Sequence, residues 1–181
     1  MAGQLARCLC ASSLLVVSMA GAQERTRLHM EQGQLEDPAL VSAWLKKNAA
    51  LADRQRAAQF HAFGAQEEQR GSLSTALKAY GESALWMPSP QALRTVADLA
   101  VRYYGQGRAA NKSYAEGRKT DLIFFEKLYR SALASDDVLA TLNPAERLRI
   151  EANADCLATY RRNGTGYATC PPLQAYHPGK R

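Results

Sequence analysis

FHAFGAQEEQRGSLSTALKAYGESALWMP, residues 60–88, is the most informative stretch of this 181-residue sequence. Its apolar and small residues recur at intervals of three and four, which is the spacing of one face of an α-helix. Gly71 divides the stretch in two, because glycine readily takes the backbone conformation that ends a helix. Pro88 ends the second segment, since proline cannot continue a helix. The stretch therefore predicts two helices folded into a hairpin.

Small and aromatic residues in this stretch resemble a tetratricopeptide repeat (TPR). The resemblance is carried by Phe60, Phe63, Gly64, Gly71, Ala76, Tyr80, Ser83, Ala84 and Pro88. Gly64 and Ala76 are small where the two helices of a hairpin approach closely, and Tyr80 fills the space between neighbouring hairpins. Glu67 departs from the pattern, since the family usually has a large or aromatic residue there. The resemblance implies an all-α fold of TPR-like stacked α-hairpins.

The alternative interpretation is an ordinary helical bundle, in which Gly64, Ala76 and Tyr80 serve only as packing residues. Outside the stretch the repeat pattern is weaker, although Gly105 follows Gly71 at the repeat distance. A repeat array needs about three units to bury its faces. We therefore expect the helices at 38–51 and 143–162 to serve as capping helices.

Helical spacing continues on both sides of the hairpin. Asp37-Pro38 and Asn143-Pro144 each combine an N-cap residue with proline at the first helical position. The predicted helices lie near 38–51, 53–71, 74–86, 89–104, 120–134 and 143–163. No segment alternates apolar and polar residues between hairpin turns, so the sequence predicts a single all-α domain over 37–164. The glycine-containing residues 105–119 are expected to form a long loop.

Residues 1–22 are typical of a signal peptide. Arg7 precedes an apolar run from Cys8 to Ala20, and small residues follow at Ala20-Gly21-Ala22. The run is about half of the ~20 residues that span a bilayer, so we expect no stable membrane anchor. This interpretation makes the protein periplasmic or secreted. The polar residues 23–36 are expected to form a flexible lead-in to the domain.

Cys156 and Cys170 are the two cysteines that would remain after cleavage. An even pair in an oxidising compartment favours a disulfide, which would tie the irregular tail 165–181 to the domain. The alternative is two free, buried cysteines. Neither has a second Cys or a His at ligand spacing, so we expect no metal site and no cofactor.

In the TPR-like interpretation the first helix of each hairpin lines a concave groove, and in the family such positions contact peptide ligands. The groove would present His61, Ala65, Glu68, Thr95, Leu99 and Arg102. We therefore expect His61, Glu68 and Arg102 to bind another protein or a peptide. The alternative is that these three side chains lie on solvated helix faces.

Residues 102–119 interleave basic side chains with tyrosines. They include Arg102, Arg108, Lys112, Arg118 and Lys119, together with Tyr103, Tyr104 and Tyr114. Such surfaces bind anionic polymers through phosphate contacts and stacking. For an exported protein with a formal net charge of +6, we expect an anionic envelope component rather than nucleic acid. The alternative is a solvated loop with its tyrosines folded onto the domain.

The sequence contains no motif that supports catalysis. None of the three histidines lies four residues from another, so no helical metal pair exists. Glu67 and Glu68 point about 100° apart on a helix and cannot easily share one site. We therefore predict an exported, non-catalytic adaptor that binds protein through a helical-repeat groove. Alternatives are an exported inhibitor or immunity-type protein that blocks a hydrolytic enzyme, and an enzyme acting on envelope glycan.

Overall fold

The computed structural model describes residues 28–110 and 119–177, and these residues fold as a single all-α domain, as predicted. Their α-helices are α1 (Pro38–Asn48), α2 (Arg54–Gln69), α3 (Leu73–Trp86), α4 (Pro90–Ala110), α5 (Lys119–Leu139), α6 (Pro144–Asn163) and α7 (Pro171–Tyr176). Short 3-10 helices lie at Gln32–Glu36 and Tyr167–Thr169. The predicted signal peptide, residues 1–22, lies outside the described residues. Within the described ranges, no helix is both long and apolar enough to cross a bilayer.

Several helix ends lie where the local sequence predicts them. The carboxylates of Asp37 and Asp53 accept hydrogen bonds from backbone N–H groups in the first turns of α1 and α2. Asn143 and Glu146 form a capping box at the start of α6. Gly164 ends α6 with φ of 68°, a left-handed conformation that glycine adopts without steric cost.

The helices α2 to α6 form a row in which each helix packs against the next along the chain. The predicted capping helix α1 does not extend this row at α2, because its main helical contact is with α5. Val41 and Leu45, which are buried, supply the apolar side of α1. As a result, the side of α2 that faces away from the rest of the row is not covered by α1.

The described part of the predicted lead-in, residues 28–36, is ordered against the domain. Met30 is 1% exposed, and its N–H donates to the carbonyl oxygen of Leu85 at 2.9 Å. Leu35 is also buried, within the 3-10 helix that contacts α1, α3 and α5. The expectation of a flexible segment is wrong here, because the buried side chains of Met30 and Leu35 anchor these residues to the domain.

The helix α4 continues through Gly105 and Gly107 to Ala110, where the sequence predicts a loop from residue 105. The reason is a long-range contact, since Gly105 packs directly against the backbone of α7 at Tyr176. A glycine inside a helix costs about 1 kcal/mol relative to alanine. The close contact with α7 offsets this cost. The fifth helix is also longer than predicted, because α5 extends to Leu139.

The predicted tail is tied to the domain by the disulfide Cys156–Cys170, which is present with a Cα–Cα distance of 5.5 Å. The tail is more regular than predicted, since it contains α7. Leu173 and Tyr176 of α7 are fully buried, and Tyr176 donates a hydrogen bond to Asp121 on α5. The end of the described chain therefore belongs to the hydrophobic core.

Candidate functional site

Tyr80 on α3 is the centre of the contacts that join the predicted site residues. Its ring packs edge to face with the ring of His61, with centroids 5.0 Å apart. Its hydroxyl donates to Glu68 Oε2 at 3.0 Å, and Glu68 Oε1 accepts from the Arg102 guanidinium at 2.6 Å. The structure therefore brings His61, Glu68 and Arg102 together around one tyrosine. We call these four residues the Tyr80 network.

The local sequence explains why α2 can hold this tyrosine. Residues 57, 61, 64 and 68 are spaced three and four apart, so they share one face of α2. Gly64 lies at the middle of this face, where a Cβ atom would come within 2.9 Å of the Tyr80 ring. The absence of a side chain at Gly64 thus leaves room for the buried phenol between His61 and Glu68.

Burial and the hydrogen bond to Glu68 favour the protonated phenol of Tyr80. Burial raises the pKa of Tyr80 to about 12, and the hydrogen bond to Glu68 adds to the shift. Tyr80 therefore remains a hydrogen-bond donor at neutral pH. The side chains of Arg102 and Glu68 are 46% and 29% exposed, and ion pairs so close to solvent contribute about 0–1 kcal/mol. The pair links α2 to α4.

A cleft opens where α2 and α4 begin and α3 and α5 end. Its volume is about 450 Å³, and His61 lies on its wall. We call it the α2/α4 cleft. Other residues that line it include Arg54, Ala57, Ala58, Met87, Gln91 and Leu139.

The α2/α4 cleft has an apolar floor and a polar rim. Ala57 is buried, and its carbonyl oxygen accepts a hydrogen bond from Ser83 Oγ at 2.8 Å, so this polar pair is already satisfied. Arg54 is exposed and forms no ion pair with any residue that the structure describes. Arg54 and His61 therefore offer hydrogen-bonding groups at the edge of an apolar surface, whereas the side-chain amide of Gln91 already bonds Thr141.

Two of the other positions predicted on α4 do not offer side chains to a ligand. Leu99 is buried, and with Val96 and Ala100 it belongs to the core face of α4, so the prediction that it lines a groove is wrong. The hydroxyl of Thr95 donates to the Gln91 carbonyl oxygen of its own helix at 2.9 Å. On α2, Ala65 is half-buried beside the Tyr80 network. The cleft is therefore lined mainly by residues near the ends of helices, whereas the sequence predicts a groove along the faces of α2 and α4.

A second polar group along α4 was not predicted from the sequence. The buried Tyr129 on α5 donates to Asp98 Oδ1 at 2.6 Å. Arg94 Nε lies 3.8 Å from Asp98 Oδ2, and Arg94 Nη1 lies 3.6 Å from Oε1 of Glu146 on α6. Burial raises the pKa of Tyr129 well above its ordinary value, and the charge of Asp98 adds to this effect. The spacing of Arg94 and Asp98, four residues apart, is the one local signal that could have indicated this group.

The basic and aromatic segment 102–119 is described only in part. The rings of Tyr103 and Tyr104 contact each other, and the Tyr104 ring lies 5.8 Å from that of Phe125. Tyr104 therefore packs partly on α5, while both tyrosines remain exposed to solvent. The side chain of Arg108 and all of Lys112, Tyr114 and Arg118 lie outside the described residues.

The described residues contain no group of three or more His, Cys, Asp or Glu side chains placed to hold a metal ion. No family model, no curated protein and no solved structure matches this chain. The α2/α4 cleft and the Tyr80 network are therefore the basis on which a function is proposed.

Proposed function

We propose that this protein is an exported, non-catalytic adaptor that binds a segment of another protein in the α2/α4 cleft. The observation that carries the proposal is the cleft of about 450 Å³, with its apolar floor and the exposed Arg54 guanidinium at its rim. Binding pockets typically combine an apolar lining with a few polar groups that orient the ligand. This volume lies in the range of about 300–1,000 Å³ that is typical of ligand pockets, so the cleft has room for part of a bound peptide.

The charge at the rim indicates the kind of segment that fits. Arg54 and His61 both lie on the α2 side of the cleft, and the chain as a whole is basic. Complementary charges favour an acidic partner and speed its association. We therefore propose that the segment places an aspartate or glutamate against Arg54 and an apolar side chain on the floor near Ala57.

Glu68 and Arg102 have a different role in this proposal from the one predicted for them. They bond to each other rather than standing free, and Tyr80 links them to His61. We propose that the Tyr80 network positions α2 against α4 and so sets the width of the cleft. Loss of Arg102 would then weaken binding indirectly, while loss of Arg54 or His61 would remove direct contacts.

The proposal also includes export of the protein and a TPR-like arrangement of its helices. The Cys156–Cys170 disulfide supports export, because such bonds persist in oxidising compartments. The consecutive hairpins α2–α3 and α4–α5 support the TPR-like interpretation, and the packing of α1 against α5 is a departure from a linear array.

The experiment is affinity capture from an envelope extract with the purified, tagged protein. The double variant Arg54→Ala/His61→Ala should capture no more than about one tenth of the partner that wild type captures. This tenfold loss corresponds to about 1.4 kcal/mol of binding free energy. The matched control is Lys46→Ala/Gln66→Ala, which changes one exposed cation on α1 and one residue on α2 outside the cleft. Circular dichroism should show unchanged helix content in both variants.

Two results would count against this proposal. Equal recovery of the partner by the wild type and the cleft variant would exclude the α2/α4 cleft as the site. Recovery of a hydrolase whose activity falls on binding would instead favour the inhibitor or immunity-type alternative.

A further inference from the structure

The side of α2 that faces away from the α2/α4 cleft carries an exposed aromatic surface. Phe63 is 46% exposed and Phe60 is half-buried beside it. Together with Arg56 and Gln59 they line a shallow groove of about 370 Å³. The outer face of a terminal helix in a stacked row is normally polar or covered by a cap. Here α1 packs on α5, so it leaves these aromatic side chains open.

The aromatic residues belong to a longer stripe along α2. Residues 56, 60, 63, 67 and 70 follow one another at intervals of four, three, four and three, so they lie on one side of the helix. Arg56 is already held in place, since its guanidinium lies over the Trp86 ring at 4.6 Å from the centroid. At the other end Arg70, whose side chain is 59% exposed, pairs at 2.5 Å with Glu67, whose side chain is 12% exposed and reaches the surface only at its edge. We call this set the α2 stripe.

We propose that the α2 stripe is a homodimer interface, in which the α2 helices of two copies of this chain pack antiparallel. With Phe60 of one copy opposite Phe63 of the other, Arg56 lies opposite Glu67 of the second copy. In the same register Asp53 lies opposite Arg70 of the second copy. Each charged position thus meets its opposite on both sides of two apolar pairs, as a two-fold symmetric interface requires.

The charge pattern favours antiparallel pairing of the two α2 helices over parallel pairing. In a parallel pair, Arg56 would face Arg56 and Glu67 would face Glu67, and like charges at such positions disfavour pairing. The flanking charges also favour a protein over a purely apolar ligand. A second copy is a partner whose charges match, because it carries the same stripe.

The interface leaves the α2/α4 cleft open. Ala58, which lines the cleft, lies about 140° around the helix from Phe63. A dimer would therefore present two clefts. The inference does not rest on the proposed function, since the α2 stripe and the cleft share no residue.

Sedimentation velocity and light scattering on the full purified protein test this inference. We expect wild type to be a dimer at about 10–100 µM, in the micromolar range typical of modest interfaces. Arg56→Glu and Glu67→Arg should each be monomeric alone. An equimolar mixture of the two should dimerise again, because every facing pair in the mixed dimer is complementary.

A second variant keeps the test decisive if Arg56→Glu fails to fold after losing its contact with Trp86. Phe63→Glu should be monomeric, whereas Leu148→Glu, at an exposed leucine of α6 that is 65% accessible, should remain dimeric. A wild type that is monomeric up to about 100 µM would overturn the inference. So would a dimer that survives Phe63→Glu, or folded charge variants that do not associate when mixed.

Discussion

Two glycines on neighbouring helices show two different ways of building a close contact. Gly64 of α2 faces the ring of Tyr80, which comes from the next helix. Gly105 of α4 faces the backbone of Ala175 and Tyr176, at the end of the described chain. A ring can turn aside from an added methyl group, whereas a packed backbone cannot. The α2–α3 contact should therefore tolerate change better than the α4–α7 contact.

The largest effect is expected for Gly105→Ala. The new Cβ would overlap the carbonyl oxygen of Ala175 and lie 2.9 Å from the Tyr176 Cα, so α7 would have to move. We expect the free energy of unfolding to fall by about 3 kcal/mol, at the upper end of overpacking costs. Urea denaturation followed by circular dichroism measures it.

Gly107→Ala is the matched control for this substitution. It lies on the same helix, and none of the described residues comes within 4 Å of the place that its Cβ would take, so a methyl group meets open space there. It should leave the free energy of unfolding unchanged or raise it by up to about 1 kcal/mol. Equal stability of the two variants would show that α7 does not pack on Gly105 as described.

The next largest effect is expected for loss of the disulfide that ties the tail, including α7, to α6. Replacing both Cys156 and Cys170 by alanine should lower the free energy of unfolding by about 2–3 kcal/mol, because the closed loop is short. Hydrogen exchange should accelerate most in α7, which also opens locally, and less in α2 and α3. Faster exchange spread evenly over all helices would contradict the separation of the two regions.

Gly64→Ala should cost less than Gly105→Ala, about 1–2 kcal/mol. The added Cβ would meet the Tyr80 ring at 2.9 Å, and rotation of the ring relieves the clash but weakens its hydrogen bond to Glu68. Gly81→Ala on α3 is the control, since its Cβ would meet no atom of the described residues within 4 Å. A loss for Gly64→Ala that exceeds that of Gly105→Ala would reverse the comparison.

The smallest effect is expected for Tyr80→Phe. The variant keeps the ring against Gly64 and removes the hydroxyl that donates to Glu68, and Glu68 still pairs with Arg102. The expected loss is about 1 kcal/mol in urea denaturation. A loss above that of Gly64→Ala would mean that the hydrogen bond, rather than ring packing, holds α2 to α3.

The same comparison explains how much of the fold the sequence could predict. The N-caps Asp37 and Asn143, and the predicted contact region around Gly64 and Tyr80, depend on residues that are close along the chain. The continuation of α4 past Gly105 depends on α7, which lies far along the chain, so helix propensity alone predicts a loop there. The position of α1 on α5 was missed for the same reason.

The candidate site, too, could be predicted from local sequence only in part. Helical spacing selected His61, Glu68 and Arg102, and they do meet at Tyr80, although Glu68 and Arg102 bond to each other. Arg54 was not selected, because the α2/α4 cleft exists only where the ends of four helices converge. No pattern within a single helix reveals such a convergence.

Site-specific photo-crosslinking would show where a partner binds. A photoreactive residue in place of Ala58 lies in the α2/α4 cleft, and one in place of Gln66 lies on the same helix, outside the cleft. In an envelope extract we expect one discrete adduct from position 58, none from position 66, and loss of that adduct with Arg54→Ala. Equal adducts from both positions, or none from position 58 when a partner is captured, would contradict binding in the cleft.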